Sequence, residues 1–379
     1  MGKKRILLGP FPPPFGGVSI FTRALGDLSA GRGIRFWNYG GPTTDVNVRH
    51  IKIRRLGIVP ALLREGFKAR IIETAHFHLE YPNAILLPIW LAFKLILRFE
   101  WVKIVHDGSL PSRYSGFSFV QRSLFRLAVR SVSEFVVVSE DLGNWLRYSI
   151  GVTQRISHIP SLLPVSTARL NARIPGELQQ VLAGFKSCQR RIISIGAFIP
   201  VYGFKDVAEA VEKIRNESGV NIGLLLIDAN FARDEEFRAD VLDGREWITV
   251  IEEAPHAAIY PILREGELFV RGFQLESYGI SRIEALWSGL PVVATNVGET
   301  RGMRLYEFGD IPELVRQIRE SLAQPFPLEA RAAAERFHIE AAENLDRYLK
   351  LIDGNIDPVA ESSETINNPA GRGKSGAPI

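Results

Sequence analysis

The stretch LFVRGFQLESYGISRIEALWSGLPVVAT, residues 268–295, reads as strand, helix and strand in immediate succession. LFVRG (268–272) and PVVAT (291–295) are short, largely apolar runs of the kind that a sheet covered on both faces accepts. Between them, a helix over 279–289 brings Ile280, Ile283 and Trp287 onto one face by 3.6-residue periodicity. Glu284 lies on that same stripe. A carboxylate facing a core costs roughly several kcal/mol unless something pairs with it. Glu276 stands just ahead of the helix, where free backbone N–H groups and the positive dipole end attract an anion. Both glutamates ask for a polar partner, and a bound ligand is the expected one.

Outward from this unit the alternation recurs. RIISIG (191–196), IGLLLI (222–227) and ITVIE (248–252) predict strands, with helices at 204–218, 231–242 and 255–264 between them. The first half repeats the pattern with RILLG (5–9), RFWNY (35–39), ETAHFH (73–78), VKIVH (102–106) and FVVVS (135–139). Its helices fall near 18–29, 82–98, 117–132 and 140–149. The expected fold is therefore α/β, with two Rossmann-like, doubly wound parallel-sheet domains facing a cleft. They span residues 1–165 and 185–339, joined through a polar, poorly patterned stretch from 166 to 188. Helices at about 310–323, 328–338 and 340–352 close the chain, and a closing helix at about 340–353 is expected to pack back on the first domain. The tail, 354–379, has almost no large apolar residues and is expected to be disordered.

A chain of 379 residues can bury more than one core. Its 46% hydrophobic and 23% charged residues are those of a globular protein. The single cysteine, Cys188, excludes an internal disulfide and fits a reducing compartment. The start, MGKKRILLGPFPPPFGG, is basic, but its apolar run is too short and proline-broken for a secretory signal. The longest apolar run, AILLPIWLAFKLILRF (84–99), contains Pro88 and Lys94 and falls short of the roughly 20 residues that a membrane span requires. The expectation is a chain that is soluble or lies on a surface. Its net charge of +4 divides unevenly: residues 1–165 carry 22 Lys+Arg against 10 Asp+Glu, or +12, and the remainder 24 against 32, or −8. That asymmetry suggests that the first domain faces something anionic.

Several smaller motifs sit at strand ends. GPFPPPFGGVSIFTRAL (9–25) follows the first strand and enters a helix, and Gly16 and Gly17 remove side chains at its mouth. Backbone could there approach a phosphate or sugar, or the glycines could simply make a turn. No Gly-Lys-Ser/Thr follows, so it is not a P-loop. IVHDGS (104–109) places His106 and Asp107 at a strand's carboxyl end, where His106 either contacts a sugar or makes a structural hydrogen bond. His76 and His78, in AHFHLEY (75–81), are expected to be structural. In GFSFVQRSLFRLAVR (116–130), Arg122, Arg126 and Arg130 form one stripe on a helix. It is either a solvated face or, given the charge of this half, a contact for an anionic membrane surface. No Asp-x-Asp triplet and no metal-ligand spacing occurs, so no metal is expected.

Together these residues resemble the retaining glycosyltransferases of family 4, which have the GT-B architecture. The glutamate pair in ESYGISRIE followed by ALWSGLPVVATNVG is similar to that family's most diagnostic motif. PPPFGGVS resembles its N-terminal glycine loop, VHD its acceptor-side histidine, and VVVSEDLGNWL with ISHIP the end of its first domain. The resemblance runs loosely over residues 4–350 and is specific in the C-terminal motif. It implies that Glu276 hydrogen-bonds the donor sugar, that Glu284 holds the ribose hydroxyls, and that Ser277, Tyr278, Gly279 and Ile280 take the diphosphate. His106 would contact the transferred sugar. The family's arginine and lysine after the strand opening the second domain are replaced here, in IGAFIPVYGFKD, by Ala197 and Tyr202. Arg271 and Lys205 are the candidate substitutes, although Arg271 could instead form an interdomain salt bridge.

The expected activity is retaining transfer of a sugar from a nucleotide-sugar donor, UDP- or GDP-type, to a lipid-linked or polysaccharide acceptor in bacterial cell-surface glycan synthesis. No cofactor and no nucleic-acid partner is expected. The expected place is cytoplasmic, peripheral on the inner face of the plasma membrane. Two rival readings stand beside it: a sugar-nucleotide epimerase on the same scaffold, and a degenerate nucleotide-sugar-binding subunit.

Overall fold

The computed structural model describes residues 3–12, 16–39, 48–50, 57–74, 78–79, 82, 85–230, 232–252, 254–324 and 326–355. His76 and the tail beyond 355 lie outside the described residues. Among the described residues thirteen strands form two sheets. The first contains β1 (Arg5–Gly9), β2 (Ile34–Asn38), β3 (Val48–His50), β4 (Arg70–Glu73), β5 (Glu100–Val105), β6 (Glu134–Val137) and β7 (Ile156–His158) in the order 3-2-1-4-5-6-7. The second contains β8 (Arg190–Gly196), β9 (Ile222–Asp228), β10 (Ile248–Glu252), β11 (Leu268–Arg271), β12 (Val292–Thr295) and β13 (Arg304–Tyr306) in the order 10-9-8-11-12-13.

Every pairing in both sheets is parallel. A parallel sheet has helices on both faces, which is why β9 (IGLLLID) can bury every one of its residues with no polar face to spare. Strand order reverses at β1/β4 and at β8/β11, the switch points at which such sheets leave a crevice for a ligand. The loops after β1 and β8 both lead into the cleft between the domains.

Four details depart from the sequence reading. The strand placed at 73–78 ends at Glu73 and begins at Arg70, in register with β1 and β5. β3, β7 and β13 went unread because each has three residues at a sheet edge, too few to show a period. The unpatterned stretch 166–188 contains helices Thr167–Leu170 and Gly176–Lys186, and the second places Leu182 and Phe185 in the core of the second domain. The two closing helices are one helix of 26 residues, Leu328–Asp353, because no glycine or proline interrupts it.

That helix crosses the molecule. Ala334, Phe337 and Ala341 belong to the second domain's core, and Tyr348, Leu351 and Ile352 to the first's. Tyr348 Oη donates to the Ile159 carbonyl at 2.8 Å and Asn344 Nδ2 to the Leu162 carbonyl at 3.3 Å. No helix of the described residues is long and apolar enough to cross a membrane.

Candidate active site

Between the domains lies a cavity of about 200 Å³. The first domain contributes Gly17, Val18, Ile20 and His106, and the second contributes Tyr202, Asp228, His256, Arg271, residues 276–281 and Glu284. Helix Gly17–Leu28 opens towards it, with Ser19 Oγ capping the start by accepting from the Gly16 N–H at 3.0 Å. Gly16 has an ordinary extended backbone, φ −98° and ψ 162°. A Cβ added at Gly16 or Gly17 would meet nothing within 4 Å. Neither conformation nor packing demands glycine here, and of the two Gly17 lines the cavity. His106 is buried against Phe21, ring centres 4.8 Å apart, and this fixes its plane at the cavity wall.

The second wall is built from charges. Arg271 ends β11 and donates through Nε to Glu276 Oε2 at 2.9 Å and through Nη1 to the Ile195 carbonyl. Its guanidinium carbon lies 5.1 Å from the Tyr202 ring centre and 5.0 Å from that of Phe273, two rings stacked 4.1 Å apart. A cation is stabilised by such a pair of aromatic neighbours. Burial pushes the Tyr202 hydroxyl up to about 12, so it stays protonated beside the arginine. Gly203, at φ +67°, packs directly on Gly272, and this contact seats the Tyr202 loop against the strand that ends in Arg271. The glutamate is held from the other side: a Cβ on Gly279 or Gly298 would fall 3.2 or 3.1 Å from Glu276 Cγ. Gly279 also has φ +89°, the left-handed turn that starts helix Ile280–Trp287 and points its free N–H groups at the cavity.

Glu284 corrects the expectation that its partner must be a ligand. His256 Nε2 donates to Oε1 at 2.7 Å and Tyr260 Oη donates to the same oxygen at 3.1 Å. Burial, then the Glu284 carboxylate, raises the Tyr260 hydroxyl far above its ordinary value and keeps it a donor. Among the described residues no protein donor reaches Oε2, and Glu284 lines the cavity. The structure therefore fixes one carboxylate oxygen and leaves the other without a protein donor on the cavity wall.

Three residues were missed by the sequence reading. His256 and Tyr260 stand one turn apart in HAAIY, a spacing that puts both on one helix face. Arg282, inside the motif and fully buried, donates to the Val297 carbonyl at 2.5 Å and to Thr295 Oγ1 at 2.9 Å. It pins the loop that follows β12, and burial holds its guanidinium down to about 10. A second charged residue, two positions from Glu284 on the same short helix, was the available signal.

Of the other residues singled out in the sequence, Lys205 alone is displaced from its expected place. Lys205 is not in the cavity; it lies on the surface, 2.7 Å from Asp240, because helix Phe204–Ser218 turns that position outward. Ala197 is buried and lines nothing. Asp107 caps a turn, accepting from the Ser109 N–H at 2.8 Å and pairing with Arg113. His78 is buried on Glu73 at 3.0 Å. Arg122, Arg126 and Arg130 lie on the exposed face of helix Phe119–Ser131, away from the cavity lining, and Arg122 donates to the Ser115 carbonyl at 2.6 Å. Among the described residues no group of three or more His, Cys, Asp or Glu could hold a metal ion.

This arrangement is similar to that of known proteins. Residues 182–333 match the family model of glycosyl transferases group 1. No curated protein sequence matches the chain. Among solved structures, HepE (Alr3699) of Anabaena, in complex with UDP and glucose, is 15% identical with a TM-score of 0.66, over 90% of this chain and 99% of that one. WaaG, a glycosyltransferase involved in lipopolysaccharide biosynthesis, is 15% identical with a TM-score of 0.65, over 92% and 100%. A glycosyltransferase of Rickettsia africae is 15% identical with a TM-score of 0.67, over 94% and 100%. The chain carries a glycosyl transferases group 1 match in its second domain, and as a whole it has the two-domain GT-B fold.

Proposed function

We propose that this chain is a retaining glycosyltransferase that moves a sugar from a nucleotide-sugar donor to a lipid-linked or polysaccharide acceptor. The observation that carries the reading is the convergence of Glu276, Glu284 and Arg271 on one cavity, with Gly17 and His106 on the opposite wall. The donor diphosphate belongs at the mouth of helix Ile280–Trp287, where free N–H groups and Arg271 meet a departing negative charge. The free oxygen of Glu284 suits ribose hydroxyls. Glu276 and His106 face the sugar. The reaction on one face of the sugar relies on stabilising the leaving diphosphate, whose oxygen can take the acceptor's proton. That HepE is solved with UDP and glucose, and that WaaG is named for lipopolysaccharide biosynthesis, supports a nucleotide-sugar donor and a cell-surface glycan product.

A peripheral, cytoplasmic-face location is part of the same proposal. Arg126 and Arg130 are exposed on a helix that also exposes Phe119, Val120 and Leu127, the mix that binds an anionic lipid surface. Liposome flotation that is unchanged by reversing Arg122, Arg126 and Arg130 to glutamate would remove this face from the reading.

The deciding experiment is a thermal-shift screen with UDP, GDP, ADP and TDP, followed by turnover of the matching nucleotide sugar. One nucleotide is expected to raise the midpoint, since it binds only the folded state. Sugar transfer should then require an added acceptor and persist in EDTA. A new nucleotide sugar formed without acceptor would mean an epimerase, and nucleotide binding without any turnover a binding subunit.

A further inference from the structure

Glu284 projects from the middle of helix Ile280–Trp287, and the neighbouring helix, His256–Leu263, supplies two donors to it. Both reach the same atom. His256 Nε2 lies 2.7 Å and Tyr260 Oη 3.1 Å from Oε1, from positions one turn apart on a single helix face. Tyr260 and Glu284 are buried, and His256 is nearly so. Glu284 and His256 line the main cavity, whereas Tyr260 stands behind them. With Phe21, Leu163 and Trp287, all three also line a small hollow of about 30 Å³, room for about one or two waters.

A carboxylate oxygen has two lone pairs, so these two donors fill Oε1. They also fix the plane of the carboxylate, because rotation about its Cγ–Cδ bond would give up both hydrogen bonds. Bonds to a charged acceptor are among the stronger ones. Oε2 is left with two acceptor positions at one fixed point of the cavity wall. A vicinal diol presents two donors side by side. A sugar with one hydroxyl removed leaves part of a desolvated carboxylate unpaired, and that is costly.

We infer that His256 and Tyr260 are positioning residues that set specificity for the pentose of the nucleotide. By filling Oε1 they make Glu284 a reader of the ribose 2′,3′-diol, so the donor carries a ribonucleoside diphosphate and not a deoxyribonucleoside one. The inference rests on the glycosyl-transfer reading of the cavity. With either donor removed, the carboxylate is free to turn, and the second hydroxyl loses its fixed partner. A deoxyribose has no such partner to lose. Selectivity, beyond affinity, is what these two side chains hold.

The test is calorimetry of the full chain with UDP, GDP and ADP, each beside its 2′-deoxy counterpart. The ribonucleotide that binds is expected to do so at least about tenfold more tightly than its deoxy form, the scale of one hydrogen bond to a charged group. Tyr260→Phe and His256→Leu should each bring that ratio below about threefold, while His256→Gln, whose amide N–H can donate in place of Nε2, should restore it. Leucine is chosen over alanine because it leaves no room for a water to replace the imidazole. In turnover, the donor KM should rise more than kcat falls. A loss of stability alone would weaken both forms alike and leave the ratio as it was. Equal binding of the two forms by the unaltered chain, tighter binding of the deoxy form, or a ratio indifferent to both substitutions overturns the proposal. If no nucleoside diphosphate of either pentose binds, the glycosyl-transfer reading beneath it falls as well.

Discussion

Each domain buries charge, and the two do so in opposite places. In the first domain, Glu73, Lys103 and His78 are sealed in the core. Glu73 accepts from Trp101 Nε1 at 2.7 Å, has Lys103 Nζ at 3.7 Å and His78 Nδ1 at 3.0 Å, and none of these lines the cleft. In the second domain, Arg271, Glu276 and Glu284 stand at the cleft itself. A buried carboxylate is therefore no mark of a site by itself. The distinction is whether its hydrogen bonds are closed within the protein, as around Glu73, or leave an oxygen facing a cavity, as at Glu284. The first domain shows the cleft mainly what it lacks: a glycine, Gly17, with open space over it, beside one histidine.

This contrast can be broken by substitution. The largest expected effect is at Glu276, where Ala should lower turnover about 10³-fold while nucleotide affinity stays close to that of the parent, because in the proposed reaction its ligand is the sugar. Near-normal turnover would move the chemistry elsewhere.

At Glu73 the expected effect is on stability alone. Burial by itself would raise this carboxyl, but Lys103, His78 and the Trp101 N–H together outweigh it and hold it at about 2. A folded-state value below the unfolded one stabilises the protein fully above about pH 4.5, and the contribution fades as pH falls towards 2. Its full size is about 3 kcal/mol. Urea titrations between pH 6 and 3 should show this slope, flattened in Glu73→Gln, with donor binding unaltered in whatever fraction stays folded. A change in turnover beyond lost stability would make Glu73 part of the site and erase the contrast.

Arg271→Ala should cost about 10²-fold in turnover, as the loss of one preorganised charge does. Lys should recover only part of it, since one ammonium cannot both hold Glu276 and reach a phosphate as a planar fork can. An unchanged rate would reduce Arg271 to a brace.

Glu284→Ala should weaken nucleotide binding by about 1–3 kcal/mol, measured by calorimetry. A smaller loss would mean that His256 and Tyr260 are the only partners Glu284 has. The smallest effect is sought at Gly17. Gly17→Ala should leave the unfolding midpoint within about 0.5 kcal/mol of the parent, since its Cβ meets no protein atom. A bulkier Gly17→Leu should keep that stability and still impair binding in the cleft.

How legible was this molecule in its sequence? The central strands announce themselves, since a run such as IGLLLI suits only a doubly covered sheet. Three-residue edge strands do not, because two or three residues carry no periodicity. Glu284 was rightly suspected of needing a partner, but the partner came from the neighbouring helix His256–Leu263. Which helix lies beside which is a tertiary fact that local pattern does not encode. Lys205 was misplaced for a similar reason: it stands three positions after Tyr202, yet the left-handed turn at Gly203 (φ +67°) sends one side chain to the cavity and the other to Asp240.

The helix Leu328–Asp353 has a consequence for the order in which the protein is made. Tyr348, Leu351 and Ile352 complete the first domain's core, and Tyr348 packs on Phe21 at 5.1 Å, the same ring that backs His106. A ribosome reaches residue 348 only after synthesising the whole second domain, about 10–40 s after passing residue 165 at ordinary speeds. For that interval the first seven-stranded sheet stands with a gap behind Phe21, its own cavity wall unsupported. The usual sequence of events, in which the leading domain is finished before the trailing one begins, cannot hold for this chain. Its two halves mature together, and the histidine facing the cleft gains its backing last.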